Sequence, residues 1–411
     1  MRHGAVQALW FITDDNDTVA SINVAHNDVG VDDVQGLSKT IVTCPGLKVL
    51  DLSENELNHL TVDTPVQWSR LCEAFSNNNT ITDLNLNHNH LGAGVRILSR
   101  ALVTCSALKR LGLSFNEPGI EPAMSEFFRS HKSLVSVELV EAMDRHFPNR
   151  AKDEIGRALI ENKGRTLGFL HCDNFVLSEK TTSLVWPKEA STSDAVLLAG
   201  VLVTNTVLTT FNIASGAILA NTARSALGEA LLNNPGSRLA FCNDFGLQPN
   251  VDTCEFDLSK PELKEVEPFR LLAGCLRGNR TLTHVTLRQL RSEQISTLAL
   301  ALRGNSTLNK LDLIHVSRVG GQSVIRLPVP ELNGASGDGE HRVDMSPACL
   351  EGTLGRVACE MIGTLIAANT KLQCLDLSNT GLGVAIGQEG EGGHILLRPL
   401  CESKACPLSE L

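Results

Sequence analysis

The strongest constraint on the fold is a twelve-residue stretch that occurs twice. Residues 276–287 read LRGNRTLTHVTL and residues 302–313 read LRGNSTLNKLDL, so the second copy begins 26 residues after the first. Self-similarity at a period of roughly 20–50 residues is typical of repeat proteins, in which each unit buries its apolar face against the next unit. The spacing therefore predicts a stack of similar supersecondary units.

The repeated unit follows the pattern L-x-x-L-x-L-x-x-N. Its clearest copies are LKVLDLSENEL from Leu47, ITDLNLNHNHLG from Ile81 and LKRLGLSFNEPG from Leu108. We expect the L-x-L core to form a short strand with inward leucines, the Asn to bond backbone groups at the bend, and a helix to follow. Looser copies begin at Val19, Leu134, Leu167, Leu208, Leu239, Leu282, Leu308 and Leu372, which makes about eleven units in all.

The motif, its spacing and the helical segments resemble the ribonuclease-inhibitor-like class of leucine-rich repeats. LDLSENEL, LNLNHNHLGAG and LDLSNTGLG are the strongest matches, although Thr380 stands where the last copy should carry its Asn. The resemblance implies an α/β fold: a curved solenoid, or horseshoe, with parallel strands on the concave face and helices on the convex face. We expect residues 1–411 to form one such solenoid that acts by binding protein. Neither end has a clear polar cap, which predicts atypical caps or a longer natural chain.

Four intervals exceed one repeat and predict long loop insertions near 176–193, 246–262, 315–350 and 383–400. Each contains a short apolar run that ends near proline, namely LVWP, FDLSKP, IRLPVP and ILLRP. We expect strand-like excursions on one rim, because insertions in repeat proteins often lie on the binding face. The alternative is that the insertions have no function, since lengthening a surface loop costs little entropy.

The seam between repeats reads Asn-x-Thr at Asn78, Asn279 and Asn305, which is also the N-glycosylation sequence. We favour a structural role, because a repeated seam explains all three occurrences with one cause.

Composition narrows the classes of partner. The formal net charge is −10, tyrosine is absent and aromatic residues make up 4%. These values disfavour a nucleic-acid binder, which needs a basic face, and an aromatic ligand pocket. They predict a protein partner and favour one with a basic segment, and they predict no nucleic acid, membrane or small-molecule substrate. The twelve cysteines lack CxxC spacing, which predicts buried free thiols and a cytoplasmic location.

No motif predicts catalysis. The chain has no Gly-Lys pair and hence no P-loop, and GLGVAIG at 381–387 misplaces the third glycine of a dinucleotide turn. His88 and His90 form an HxH without an evident third metal ligand, and strand alternation separates His171 from Cys172. We therefore predict no catalytic residue, no cofactor and no metal site.

The residue between the two strand leucines should point into the concave face. This column is polar, contains four acids and lacks Lys and Arg, so we expect a non-enzymatic scaffold that binds a partner through the concave face, the inserted rim or both. The alternatives are a small-GTPase regulator, because one family of GTPase activators uses this kind of repeat, and the sensor portion of a larger receptor-like protein. The predicted protein-binding residues are Asp51, Asn85, Glu138, His171, Asn212, Thr286, Asp312 and Asp376, and the same column includes Asn23 and Gly112.

Overall fold

The computed structural model describes residues 9–10, 13, 16–116, 121–141, 147–316, 322–334, 342–345, 349–351, 356–378 and 398. The predicted insertion at 383–400 and the GLGVAIG stretch lie outside the described residues. The chain divides into two compact units, Met1–Leu208 with Ala214–Ile218 and Thr209–Ile213 with Leu219–Leu411. Both units alternate short strands with helices, which is the mixed α/β arrangement expected for leucine-rich repeats. A single solenoid over residues 1–411, and its curvature, stay predictions.

The first unit is built on a parallel ladder of short strands, because each strand is followed by a helix that returns the chain to the same edge. Strands β1 to β6 pair in sequence order and in parallel, and β7 pairs antiparallel with β6. The strands are β1 Ser21–Asn23, β2 Val49–Asp51, β3 Asp83–Asn85, β4 Arg110–Gly112, β5 Ser136–Leu139, β6 Phe169–Cys172, β7 Phe175–Leu177 and β8 Ser183–Trp186. The helices are α1 Val34–Thr43, α2 Asn58–Val62, α3 Pro65–Ser76, α4 Val95–Leu102, α5 Glu121–Ser130, α6 Asn149–Glu161 and α7 Thr192–Leu202.

The second unit repeats the alternation with more irregular strands. Strands β9 and β10 pair in parallel, β11 to β13 form a parallel ladder, and β15 pairs in parallel with β17. The strands are β9 Thr210–Ile213, β10 Phe241–Cys242, β11 Thr253–Asp257, β12 His284–Arg288, β13 Lys310–Val316, β14 Gln322–Pro328, β15 Arg342–Asp344, β16 Cys349–Glu351 and β17 Cys374–Asp376. The helices are α8 Asn221–Asn233, α9 Pro261–Lys264, α10 Val266–Gly278, α11 Ser292–Gly304, α12 Val329–Asn333 and α13 Arg356–Ile366.

The core of each unit lies between its strands and its helices. The inward-facing strand residues named here are almost fully buried. Burying one such apolar side chain stabilises the fold by about 1.5–3 kcal/mol. In the first unit these residues are Ile22, Leu50, Leu84, Leu111, Val137 and Leu170, and in the second they include Phe256, Val285, Leu287, Leu311 and Leu375. The predicted L-x-L core is confirmed at these positions except Phe256, which lies in the predicted insertion 246–262.

The motif asparagines bond the bends as predicted. Asn55 Nδ2 donates to the carbonyls of Val24 at 3.1 Å and Leu52 at 2.9 Å. Its Oδ1 accepts from the backbone N–H groups of Asn27 at 3.0 Å and Val29 at 3.1 Å. One buried amide thus satisfies four backbone groups that the strand exit would otherwise leave unpaired. Buried amides occupy the corresponding positions at Asn89 and Asn116.

Charged residues replace asparagine further along the first unit. Asp173 Oδ1 accepts the backbone N–H of Glu141 at 2.8 Å. The side chain of Lys152 is 2% exposed, and its Nζ lies 2.8 Å from Asp194 Oδ1 and 3.8 Å from Asp173 Oδ2. Burial alone raises the pKa of Asp194, but hydrogen bonds from Lys152 and Ser191 outweigh burial and hold that pKa below its ordinary value.

The seam asparagines explain the repeated stretch LRGN-x-TL. Asn305 Nδ2 donates to Leu276 O of the preceding repeat at 2.6 Å, and its Oδ1 accepts the backbone N–H groups of Thr307 and Leu308, each at 2.8 Å. The amide therefore ties one repeat to the next and starts the new strand. The same arrangement holds at Asn78, Asn205, Asn279 and Asn369. Because Asn78, Asn279 and Asn305 are buried, these sequons mark repeat seams.

The arginine of LRGN also has a repeated role. Arg277 Nη1 donates to Leu300 O at 2.9 Å, and Arg303 Nη2 donates to Thr364 O at 2.9 Å. Leu300 and Thr364 both lie five residues before a seam asparagine, so each guanidinium caps the last turn of the following helix. A cation at a helix C-terminus also interacts favourably with the helix dipole.

Two helix pairs approach closely at glycines. A Cβ on Gly156 of α6 would lie 2.5 Å from Val196 O of α7, and a Cβ on Gly200 of α7 would lie 2.8 Å from Leu159 Cβ. The pair α8 and α10 repeats this geometry in the second unit, with Gly228 against Arg270 and Gly274 against Leu231. Glycine allows the backbones to pack at a distance that any side chain would prevent.

The described apolar–proline runs form strands, as expected of strand-like segments, and β11 and β14 pair within a sheet; their position on one rim stays a prediction. In β11, Phe256 pairs with Leu287 in the parallel ladder, so residues 253–257 form a regular repeat strand inside the predicted insertion 246–262. In β14, residues 322–328 pair antiparallel with β13 along its whole length. Both runs alternate apolar and polar residues, which suits a half-buried strand better than a loop. The run LVWP likewise forms β8 within 176–193.

Candidate functional site

The first unit brings six predicted column residues into one line. The strand register pairs Asn23 with Asp51, Asp51 with Asn85, Asn85 with Gly112, Gly112 with Glu138, and Glu138 with His171. These side chains lie on the side of the sheet opposite the buried core, where Asn23, Glu138 and His171 are exposed and Asp51 and Asn85 are half-buried. The polar row is the name used below for Asn23, Asp51, Asn85, Gly112, Glu138 and His171.

A shallow groove runs along the polar row. It has a volume of about 210 Å³ and includes Asp51, Asp83, Arg110, Gly112 and Glu138 in its lining. Gly112 is buried at the floor of the groove, and a Cβ there would lie 2.8 Å from the side-chain oxygens of Asn85 and Asn87. Glycine at this position therefore lets the side chains of Asn85 and Asn87 pack over β4.

The groove carries more negative than positive charge. Asp83 accepts a hydrogen bond from Arg110 Nη1 at 2.8 Å, and this bond raises the pKa of the Arg110 guanidinium. Asp51 instead accepts the backbone N–H and the hydroxyl of Ser53. Within the described part of the chain, no lysine or arginine pairs with Asp51 or Glu138. Two carboxylates therefore face the groove without a cationic partner, which suits a positively charged ligand group.

Glu138 is held in place by an amide. Asn87 Nδ2 donates to Glu138 Oε2 at 2.8 Å, and Asn87 Oδ1 accepts the backbone N–H of Ser114 at 2.8 Å. Sequence reasoning missed Asn87, which lies outside the column read from the motif. Its contacts orient Glu138 without neutralising it.

In the second unit, the predicted binding residues do not form an exposed line like the polar row. Thr286 pairs with Asp312 in the parallel ladder, as predicted from the column. Asp312 is buried: Arg326 Nε and Nη2 donate to its two oxygens, both at 2.7 Å, and His284 Nε2 lies 2.9 Å from Oδ2. Burial raises the pKa of Asp312, but the bonds from Arg326 and His284 outweigh burial and hold that pKa below its ordinary value. Asp312 is therefore already paired with Arg326 of the same chain.

Arg326 places a cation of this chain against the column, although the column itself contains no Lys or Arg. It lies in β14, directly opposite Asp312. The repeat motif predicts no register for this strand, because β14 is antiparallel and follows no repeat motif. The expectation of a strand-like insertion at IRLPVP therefore did not reveal the ion pair.

The remaining two predicted residues lie elsewhere in the second unit. Asp376 in β17 pairs with Asp344 in β15, and Arg342 Nη2 donates to Asp376 Oδ2 at 2.9 Å. Asn212 is half-buried in β9, next to the residues Thr210 and Phe211 that pair with β10. Neither residue shares a strand register with the polar row.

The other candidate chemistry finds no site among the described residues. His88 stacks on Phe115 with ring centroids 3.9 Å apart, and Cys172 is buried while His171 is exposed. No three His, Cys, Asp or Glu side chains of the described residues come together in a way that could hold a metal ion. Likewise, in the described portion of the chain, no helix is long and apolar enough to cross a membrane.

The nine described cysteines are free thiols, and most are buried, as predicted. Burial raises the pKa of the Cys105 thiol to about 11. For Cys172, burial is also the main cause of a pKa raised to about 12. A thiol with so high a pKa is almost never a thiolate near neutral pH, so it is a poor nucleophile.

No protein-family profile matches this sequence, and no curated protein is similar to it at a significant level. Among solved structures, a leucine-rich repeat-containing protein, LegL7 from Legionella pneumophila, is similar at 16% identity and a TM-score of 0.31, over 74% of this chain and 85% of that chain. The yeast Rad7 and Elc1 complex contains a chain similar at 17% identity and a TM-score of 0.30, over 76% of this chain and 79% of that chain. At such low scores neither similarity supports an argument about function.

Proposed function

We propose that this chain is a non-enzymatic scaffold that binds a protein partner through the polar row of the first unit. The observation that carries the proposal is the register, which aligns Asp51 and Glu138 on one exposed face while leaving both without a cationic partner among the described residues. A row of polar groups on rigid, paired strands is already ordered before binding, so little entropy is lost on association.

The charge of the groove favours a partner with a basic segment. The groove lining contains the carboxylates Asp51, Asp83 and Glu138 against the single guanidinium of Arg110. Complementary charge speeds encounter and selects among partners more than it adds affinity. The buried, weakly acidic thiols support a reducing and hence cytoplasmic location.

Asp312 and Asp376 do not enter the proposed surface. Both are held by arginines of the same chain, so a basic partner would first have to displace Arg326 or Arg342. Strands β11 and β14 do not enter it either, because both are paired within a sheet of the second unit. The small-GTPase regulator and the sensor portion of a receptor stay predictions, since no contact of the described residues favours either.

The test reverses the charge of the polar row. In the double variant Asp51→Lys and Glu138→Lys, binding of the native partner should weaken by about tenfold or more at low salt, because attraction becomes repulsion. The matched control, Glu73→Lys with Glu229→Lys, makes the same charge change at two exposed helix residues. Binding is measured by titration of the purified partner, and folding by circular dichroism. Equal losses in both variants would show a general charge effect and contradict the proposal.

A further inference from the structure

The polar row ends beside exposed apolar side chains that charge complementarity does not explain. Val176 in β7 is 47% exposed and Val185 in β8 is 56% exposed. Phe169 in β6 is half-buried and lies two residues before His171. These three residues are called the apolar patch below. Exposed apolar side chains grouped beside polar ones mark interaction sites on soluble proteins.

The acids and Val176 lie on one run of paired strands. Val176 lies directly opposite His171 across the β6–β7 pair, and β8 packs against β7 without pairing with it. Glu138 on β5 is three strands from Asp51 on β2, and Val176 on β7 is two strands from Glu138. Paired strands are about 4.8 Å apart, so the first interval is about 14 Å and the second is about 10 Å.

The interval between Asp51 and Glu138 matches the geometry of an extended polypeptide. At about 3.3 Å per residue, four residues of an extended segment span about 13 Å. Side chains at even spacing in such a segment point to the same side. Residues i and i+4 of one segment can therefore face Asp51 and Glu138 at the same time, and residue i+8 then reaches just past Val176, on the side where β8 packs against β7.

Two amides favour an extended occupant over a helical one. Asn23 Oδ1 accepts the backbone N–H of Ala25, and Asn85 Oδ1 accepts that of Asn87. No hydrogen bond joins the Nδ2 group of either asparagine to another described residue, so both amides can donate to a ligand. The backbone carbonyls of a helix are bonded within the helix, whereas those of an extended segment need external donors.

We propose that the polar row and the apolar patch together bind an extended segment of a protein partner that carries basic residues at i and i+4 and an apolar residue at i+8. The basic residues contact Asp51 and Glu138, the amides of Asn23 and Asn85 bond the segment's backbone, and the apolar residue covers Val176 and Val185. This inference rests on the proposed function and adds the partner's spacing to it.

The experiment compares fluorescein-labelled synthetic peptides by anisotropy with the full chain. The first peptide has Lys at positions one and five and Leu at position nine, with Gly and Ser elsewhere. The second has the same length and composition but places Lys at positions one and three and Leu at position five. We expect the first to bind about tenfold more tightly, because only it can reach both acids and the patch.

A second comparison isolates the apolar anchor. The variant Val176→Ser with Val185→Ser should lower the affinity for the first peptide by about fivefold or more. It should leave unchanged the affinity for a peptide with Ser at position nine. Both valines are exposed, so the variant should fold normally, which circular dichroism would verify.

The outcomes separate this inference from the proposed function. If the wild type binds both peptides equally and the Asp51→Lys, Glu138→Lys variant binds neither, the basic-partner proposal stands and the spacing is overturned. If the charge-reversed variant binds both as well as the wild type, the two proposals fail together. Binding of neither peptide to the wild type overturns the spacing, while the titration of the native partner still decides the proposed function.

Discussion

At the scale of single residues, the repeat seam shows what the sequence motif requires chemically. The seam position must bond a backbone group of the preceding repeat. Among the described residues asparagine does so in six seams, including Asn162, and other side chains do it elsewhere. Cys105 Sγ donates to Asn78 O at 3.2 Å, and His131 Nε2 lies 3.1 Å from Cys105 O. The position therefore selects a short or planar polar side chain and does not select asparagine alone.

The seam can be tested with two neighbouring asparagines. Asn78→Ala should lower the free energy of unfolding by about 1–3 kcal/mol, because it leaves Ile41 O and two backbone N–H groups unpaired in the core. Asn79→Ala, at the adjacent exposed side chain, should change it by less than about 0.5 kcal/mol. Urea denaturation followed by circular dichroism measures both. Equal stabilities for the two variants would contradict the structural role of the seam.

At the scale of elements, the close packing of α6 against α7 recurs between α8 and α10. The leucine motif does not reveal this second kind of repeat. Helix α6 contains IGRALI and helix α8 contains LGEALL, while α7 contains LLAGVL and α10 contains LLAGCL. The shared glycines were visible in the sequence, but a motif search on leucines ignores them. Contact geometry shows their common role, since a glycine of each helix lies against the backbone or a leucine of its partner.

Gly156→Ala tests whether the close approach of α6 and α7 is required for stability. Alanine favours an isolated helix over glycine by about 1 kcal/mol. Here the new Cβ would lie 2.5 Å from Val196 O, so α6 and α7 must separate. Overpacking of this kind costs about 1–3 kcal/mol, and we expect a net loss in the free energy of unfolding. The control Arg157→Ala, at the next and exposed residue, should be neutral or stabilising. A Gly156→Ala variant more stable than the wild type would show that α6 and α7 can separate without a net loss of stability.

The strands show where sequence reasoning succeeded and where it failed. The register of the polar row followed from the motif because consecutive parallel strands must align their leucines to share a core. Strand β11 was expected only as a strand-like run at FDLSKP, and its place in the parallel ladder was missed because Cys254 and Phe256 replace the leucines, although their period of two is preserved. The pairing of β14 was missed because an antiparallel strand needs no crossover helix and leaves no repeat signature.

At the scale of the whole molecule, a net charge of −10 predicts attraction for basic partners but does not locate the surface. The structure separates acids that face solvent without a cation, such as Asp51 and Glu138, from acids that this chain has already paired, such as Asp312. That distinction depends on Arg326, which is fourteen residues away in the sequence and directly opposite in the sheet. Spacing alone could therefore predict the column but not which of its acids are available.

Both units contain a buried carboxylate whose pKa is held low by a cation of the same chain, and this predicts the acid sensitivity of the fold. Asp194 is bonded by Lys152 in the first unit, and Asp312 is bonded by Arg326 in the second. For each, the pKa in the folded state lies below the unfolded value of about 3.9. The unfolded chain then binds more protons as the pH falls, so stability is present above about pH 4 and is lost as the pH falls through the folded pKa.

The variant Asp312→Asn shows how this dependence should appear. At neutral pH it should be less stable than the wild type by about 1–3 kcal/mol, because the bidentate bond from Arg326 loses its charge. As the pH falls through the lowered pKa of folded Asp312, the wild-type carboxyl also becomes protonated, so the two free energies of unfolding should converge. Asp252→Asn, at an exposed side chain of the same unit, should run parallel to the wild type at every pH. Urea denaturation across this pH range measures the difference, and a gap between wild type and Asp312→Asn that stays constant into acid would contradict the lowered pKa of Asp312.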